Sequence, residues 1–146
     1  MPKNIVLATD GSADSDAAAR CIADRNLLTQ DVMVHVLHCT PNVSGEVEAF
    51  LGHADVAAWH REECDKAMAS VVSILREAAV PFEAHGLVGF APERIVQYSR
   101  SVQAEAIVMG SHGRGAFLDA VLGSVASRVV ARAECPVVLV KVPKAI

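Results

Sequence analysis

A chain of 146 residues is close to the commonest size of a single domain, and a fold of that length buries ~68–70% of its unfolded surface, enough for one core without disulfide or metal staples. Its net charge of −4, with acidic and basic residues interspersed and with one Trp, one Tyr and four Phe, excludes the basic stripe or stacking platform of a nucleic-acid binder. Although 52% of the residues are apolar, the longest stretch free of Asp, Glu, Lys and Arg, residues 32–45, is broken by His, Thr, Pro and Asn, and nothing reaches the ~20 apolar residues that membrane insertion needs.

The first apolar run, residues 5–8, is short and rich in β-branched residues, as a strand covered on both faces requires. It is too short for the core of a secretory signal, so a cytoplasmic location is expected. After Asp10 the period lengthens: Ala18, Cys21 and Ile22 predict a helix, with Ser12 or Asp14 as its cap. Residues 32–37 read as the second strand. Residues 40–54 carry neither period and are expected to form a lid or binding loop. Cys64, Met68, Val71, Leu75 and Ala78 then recur at three and four, with Arg61, Glu62, Asp65, Lys66, Arg76 and Glu77 off the stripe, which predicts a one-sided helix. Residues 82–88 form a weaker strand. Pro92, at a first helical position, opens a helix through Ile95, Tyr98 and Val102. Residues 106–109 are the fourth strand. A last helix is predicted through Leu122, Val125 or Ala126, Val129 and Ala133, before the strand Val137, Val138, Leu139 and Val140. This β-α-β-α-β-α-β-α-β order predicts one domain, residues 1–146, with right-handed crossovers and a mostly parallel sheet covered on both faces.

Cys21, Cys39, Cys64 and Cys135 are far apart, and reduced, mostly buried thiols are expected. The distinctive stretch is residues 108–124, VMGSHGRGAFLDAVLGS, which holds four of the nine glycines. It follows a strand and enters a helix, at the end of a parallel sheet where ligands bind. Glycine there permits positive φ, at Gly110 and again at Gly113, and lets backbone N–H groups turn toward a ligand. Gly123-Ser124 adds a helix start with its unpaired amides and positive dipole end. These features suit an anion cradle; glycines that merely shape a tight loop explain the same pattern. Neither familiar phosphate signature fits, because Gly123-Ser124 lacks the Walker lysine and Leu118 stands where a dinucleotide motif has its third glycine.

Gly110, two residues, Gly113, nine residues and then Gly123-Ser124 resembles the ATP-binding motif of the universal stress protein family. The blocks IVLATDGS at 5–12, VLHC at 36–39, residues 89–95, AIVMGSHGRG at 106–115, LGSV at 122–125 and CPVVLV at 135–140 extend the likeness over nearly the whole chain. The resemblance implies a Rossmann-like, HUP-like open parallel five-stranded sheet, order 3-2-1-4-5, with helices on both faces. It also implies ATP binding, a homodimer, and a role in stress responses or in regulating an unidentified partner protein. Carried over by position, Ala8 and Thr9 line the nucleotide, Asp10 approaches the ribose hydroxyls and the Cys39 backbone meets the adenine edge. Gly110, His112, Gly113, Gly123, Ser124 and Val125 surround the phosphates, and Met109 and Arg114 belong to the same nucleotide site. Cys39 departs from the family's usual Val, and Ala91-Pro92 reverses its usual order. No metal is expected from protein ligands alone; Mg²⁺ would arrive with the ATP phosphates, near Asp10.

Several residues carry two readings. Asp10 serves as a hydroxyl acceptor or as a helix cap, Arg114 as a phosphate donor or a solvated loop charge, and Ser124 as a phosphate donor or cap. His60 and Cys64, four apart on a helix, have metal-ligand spacing but lack further ligands. His35 and His38 fall on opposite faces of a strand. Trp59 covers the site from the lid side or packs with its helix, and helix packing is the expectation. The functional expectation is a nucleotide-responsive binding module. The alternatives are a slow ATP-hydrolysing enzyme, for which DGSADS at 10–15 is only a near match to a pyrophosphatase loop, and a dimeric scaffold without nucleotide. The apolar last strand, as a sheet edge, invites pairing with a second copy.

Overall fold

The computed structural model describes residues 2–24, 31–112 and 122–142. Five strands, β1 (Lys3–Ala8), β2 (Val32–Thr40), β3 (Phe82–Val88), β4 (Ala106–Gly110) and β5 (Val137–Val140), pair in parallel in the order β3-β2-β1-β4-β5. The three central strands are apolar on both faces because both are covered: Val6, Leu7, Val34, Val36, Ile107 and Val108 are fully buried. Each such side chain contributes about 1.5–3 kcal/mol relative to exposure.

One face packs against α1 (Ala13–Ala23) and α3 (His53–Glu77), through Ala18, Ala19, Ile22, Met68, Val71 and Leu75. The other packs against α4 (Ala91–Ser101) and α5 (Ser124–Arg132), through Ile95, Val96, Ala126 and Val129. Strand order reverses between β1 and β4, where the chain has finished building outward to β3 and crosses to the opposite side. That is the place where an open parallel sheet parts its loops into a crevice.

Several expectations shift. Residues 40–54 are not wholly irregular: Ser44 caps a short helix, α2 (Gly45–Leu51), its hydroxyl accepting the Val47 N–H at 3.3 Å. No residue of α2 is buried, so it has no apolar stripe by which to be read. β2 continues to Thr40, and α3 begins at His53, well ahead of its predicted stripe. Phe90 is the cap of α4, which puts Pro92 at the second helical position, behind Ala91. Leu122 precedes α5 and is exposed, and Ala126 rather than Val125 takes the buried place. Trp59 is 40% exposed, its ring edge against His60 rather than under the helix.

Candidate functional site

The rim of the sheet is built from the loop after β1 upward. The Thr9 N–H donates to the Leu37 carbonyl at 2.9 Å, so the chain stays in register with β2 for one residue beyond the strand. It then turns sharply. Gly11 takes φ 81, a conformation that suits glycine, and Asp10 Oδ1 accepts the Ser12 N–H at 2.9 Å and the Ser15 hydroxyl at 3.0 Å. Ser12 is the cap of α1, accepting the Ser15 N–H at 3.3 Å. Of the two predicted caps it is therefore Ser12 that serves, while Asp10 shapes the turn beneath it.

Asp14 does something else. Its Oδ2 accepts the His112 N–H at 3.1 Å and the Ser111 hydroxyl at 3.4 Å, and its Oδ1 accepts the Val142 N–H at 3.0 Å. One carboxylate thus ties the first turn of α1 to the ends of β4 and β5. So close an approach leaves no room for a side chain at Gly110, where a Cβ would stand 2.7 Å from Asp14 Cβ and 2.9 Å from the Asp14 carbonyl carbon. Gly110 does not use positive φ, contrary to expectation; among the described residues the glycines that do are Gly11, Gly52 and Gly89. Its small size, not its backbone freedom, is what the fold requires.

α5 arrives at the same place. The Gly123 N–H donates to the Ser111 carbonyl at 2.8 Å, which pins the amino end of the helix against the end of β4. Gly123 is the cap, at φ −58 and ψ 152, without a side-chain capping bond. Helix geometry gives the amides of this first turn no intrahelical carbonyls, and the positive dipole end lies with them. Ser124 is exposed and Val125 half-buried. His112 sits alongside, its side chain 16% exposed, with Nδ1 facing Ser111 Oγ at 2.9 Å and Asp14 Oδ2 at 3.6 Å. Its Nε2 is buried without a hydrogen-bond partner.

On the β2 side, the His38 Nδ1–H donates to the Thr9 carbonyl at 2.7 Å, and the Cys39 thiol donates to the Gly89 carbonyl at 3.3 Å. Burial pushes the Cys39 thiol above its usual range, against a smaller opposing pull from Arg94. The His60 and Cys64 pair is otherwise engaged: His60 Nδ1 lies 2.6 Å from Thr40 Oγ1, and Cys64 is buried against β3.

The rim therefore brings together Thr9, Asp10, Gly110, His112, Gly123 and Ser124. The side chains of Ala8 and Met109 are buried in the core just below it, 6% and 5% exposed. Gly113 and Arg114 lie outside the described residues.

The sequence profile described as the universal stress protein family matches residues 1–141. The chain belongs to the universal stress protein family. A universal stress protein of Methanocaldococcus jannaschii is 32% identical, over 97% of this chain and 84% of the relative. The chain spans about half the length, 47%, of the Mycobacterium tuberculosis relative that it matches at 30% identity. Among solved structures, the hypothetical protein MJ0577 superposes with a TM-score of 0.82 at 26% identity, covering 99% of both chains. A universal stress protein of Archaeoglobus fulgidus in complex with dAMP superposes with a TM-score of 0.68 at 28% identity, covering 97% of this chain and 98% of that one.

In this universal stress protein the residues that sequence reading missed are Ser15, Ser111 and His38, and Asp14 is expected from the sequence only as a helix cap. Asp14 offered only the weak signal of an acidic residue in a first helical turn. Its partners lie 98 and 128 positions away. Ser111 and Ser15 have no pattern of their own, and His38 was weighed only as a metal ligand.

Proposed function

We propose that this universal stress protein is a cytoplasmic, homodimeric regulatory module that binds ATP and signals its occupancy to a partner protein in stress responses. The observation that carries the reading is the 2.8 Å bond from Gly123 to Ser111, which holds the amino end of α5 at the switch point beside Asp10 and His112. An anion there meets main-chain amides and a helix dipole. The buried, partnerless Nε2 of His112 supports an anionic ligand independently, since a phosphate oxygen supplies what that atom lacks.

Gly110, Gly113, Arg114, Gly123, Ser124 and Val125 would surround the phosphates, Asp10 the ribose hydroxyls, and the Cys39 backbone the adenine edge, with Ala8, Thr9 and Met109 beneath. The dAMP-bound relative, 28% identical, supports an adenine nucleotide. Triphosphate, with Mg²⁺ near Asp10, is the finer proposal. When bound, ATP supplies a charge and an occupancy that a partner can read, provided the partner's affinity differs between the filled and empty states. The dimer rests on β5, whose four apolar residues are each half-buried at a sheet edge, an arrangement that favours pairing with a second copy.

The test is to denature the purified protein, chromatograph what is released, and then incubate ATP with excess protein for a single turnover. Released adenine nucleotide and unchanged ATP fit the module. AMP with pyrophosphate makes it an enzyme, and the absence of both retained and bindable adenine nucleotide overturns the proposal.

A further inference from the structure

We propose that His35, Glu83 and His85 form a binding site for a zinc-like divalent transition-metal ion on the α4 face of the β2–β3 edge, apart from the nucleotide rim. The register creates the cluster. His35 pairs with Glu83 and Leu37 with His85, so Glu83 and His85 stand two apart on one face of β3 with His35 directly across from them. One ligand atom from each lies within 4.8 Å of the others. The cluster belongs to the early part of β2 and β3, whereas the rim is at the carboxyl ends of the strands.

The imidazole of His35 is already oriented as a ligand. The Asn4 Nδ2 donates to the Val102 carbonyl at 2.8 Å, which fixes the amide and turns its Oδ1 toward His35 Nε2 at 3.0 Å. That oxygen can only accept, so in the neutral ring Nε2 carries the proton and Nδ1 keeps its lone pair. Metal-binding histidines are commonly held through the other ring nitrogen in this way. The lone pair faces Glu83 Oε2 at 3.6 Å and the Tyr98 hydroxyl at 3.1 Å.

His85 stacks on His35 with ring centroids 6.0 Å apart, and its Nε2 is buried without a hydrogen-bond partner. Packing alone accounts for a stacked pair of rings but leaves that nitrogen unexplained. A bound ion gives it a partner. Bonds of about 2.0–2.2 Å in a tetrahedral set put donors roughly 3.4 Å apart. The His35–Glu83 separation is near that spacing already, and Glu83, 55% exposed, is able to close on an ion. Two imidazoles and a carboxylate suit Zn²⁺, with water as fourth ligand on the exposed side. Tyr98 is a competitor for the same lone pair: its hydroxyl lies 3.1 Å from His35 Nδ1 and must release that nitrogen when the metal binds.

The experiment uses chelator-stripped, nucleotide-free protein titrated with Zn²⁺ by calorimetry, and with Co²⁺ by visible absorption. One ion per chain is expected, with tetrahedral Co²⁺ bands and no thiolate charge-transfer band. Glu83→Gln and His85→Gln, on an exposed edge strand, are each expected to lower affinity about tenfold or more, with circular dichroism and ATP binding unchanged. Tyr98→Phe is expected to bind at least as tightly as wild type, and His60→Gln equally well. Absence of stoichiometric binding, wild-type affinity in both β3 variants, loss in His60→Gln, or a thiolate band overturns the assignment.

Discussion

Gly110→Ala is the substitution whose outcome the geometry constrains best. The new methyl would lie 2.7 Å from Asp14 Cβ, 2.9 Å from the Asp14 carbonyl carbon and 3.0 Å from the Ser15 nitrogen, where carbon contacts settle at about 3.5–4.0 Å. Two of the three atoms are main chain, so no side-chain rotation relieves the overlap and the first turn of α1 must lift away. Overpacking of this kind costs about 1–3 kcal/mol. Gly110 closes β4 rather than lying inside it, so only part of the roughly 0.5–1 kcal/mol that alanine gains over glycine in a strand interior is recovered, leaving a net loss of about 1–2 kcal/mol. For a chain of this size a melting temperature falls about 2–4 °C per kcal/mol, so a drop of roughly 2–8 °C is expected by differential scanning calorimetry. Because α1 carries Asp14, which holds the His112 N–H, the Ser111 hydroxyl and the Val142 N–H, ATP affinity is expected to fall along with stability. Gly45→Ala is the control: a Cβ there meets nothing within 4 Å. If Gly110→Ala melts at or above the wild-type temperature, the close approach of α1 to β4 is refuted.

A methyl at Gly86 would stand 2.6 Å from Cys64 Sγ, so Gly86→Ala is expected to destabilise by about 1–3 kcal/mol, and by less in a Cys64→Ala background, as a double-mutant cycle by urea denaturation will show. The Cys39 thiol, raised by burial, is expected to alkylate slowly at pH 8 and faster only as pH climbs beyond the ordinary thiol range. Bound ATP slows it further, which peptide mass spectrometry with iodoacetamide will resolve. Val138→Lys, on the edge strand β5, is expected to convert a dimer into a monomer by sedimentation velocity; wild-type protein that is monomeric at micromolar concentration contradicts the pairing.

The strands were legible because burial on both faces writes continuous β-branched runs, as at residues 5–8 and 106–109. α2 was not, since a helix without a buried residue has no stripe to betray it. α3 was read from its buried half alone. Leu122 kept helical spacing with Val129 yet lies ahead of the Gly123 cap, an ambiguity of period that only the cap resolves. The rim was legible in its residue types, through Asp10, Gly123 and Ser124, but not in its wiring. Asp14 reaches partners brought near by the sheet alone, and Gly110 is small because a helix leans on it, a fact no local pattern encodes. The His35, Glu83 and His85 cluster depends on the pairing of β2 with β3, which spacing along the chain does not reveal.

The most direct test of the anion site is calorimetric titration of ATP into wild-type protein and into Gly123→Val. Gly123 sits at φ −58 and ψ 152, a conformation open to valine, so the variant is expected to keep its fold by circular dichroism. The wild type is expected to bind ATP with measurable heat and the folded variant to give none, because the side chain covers the first-turn amides of α5. Equal heats and equal affinities in the two proteins would contradict the placement of the phosphates.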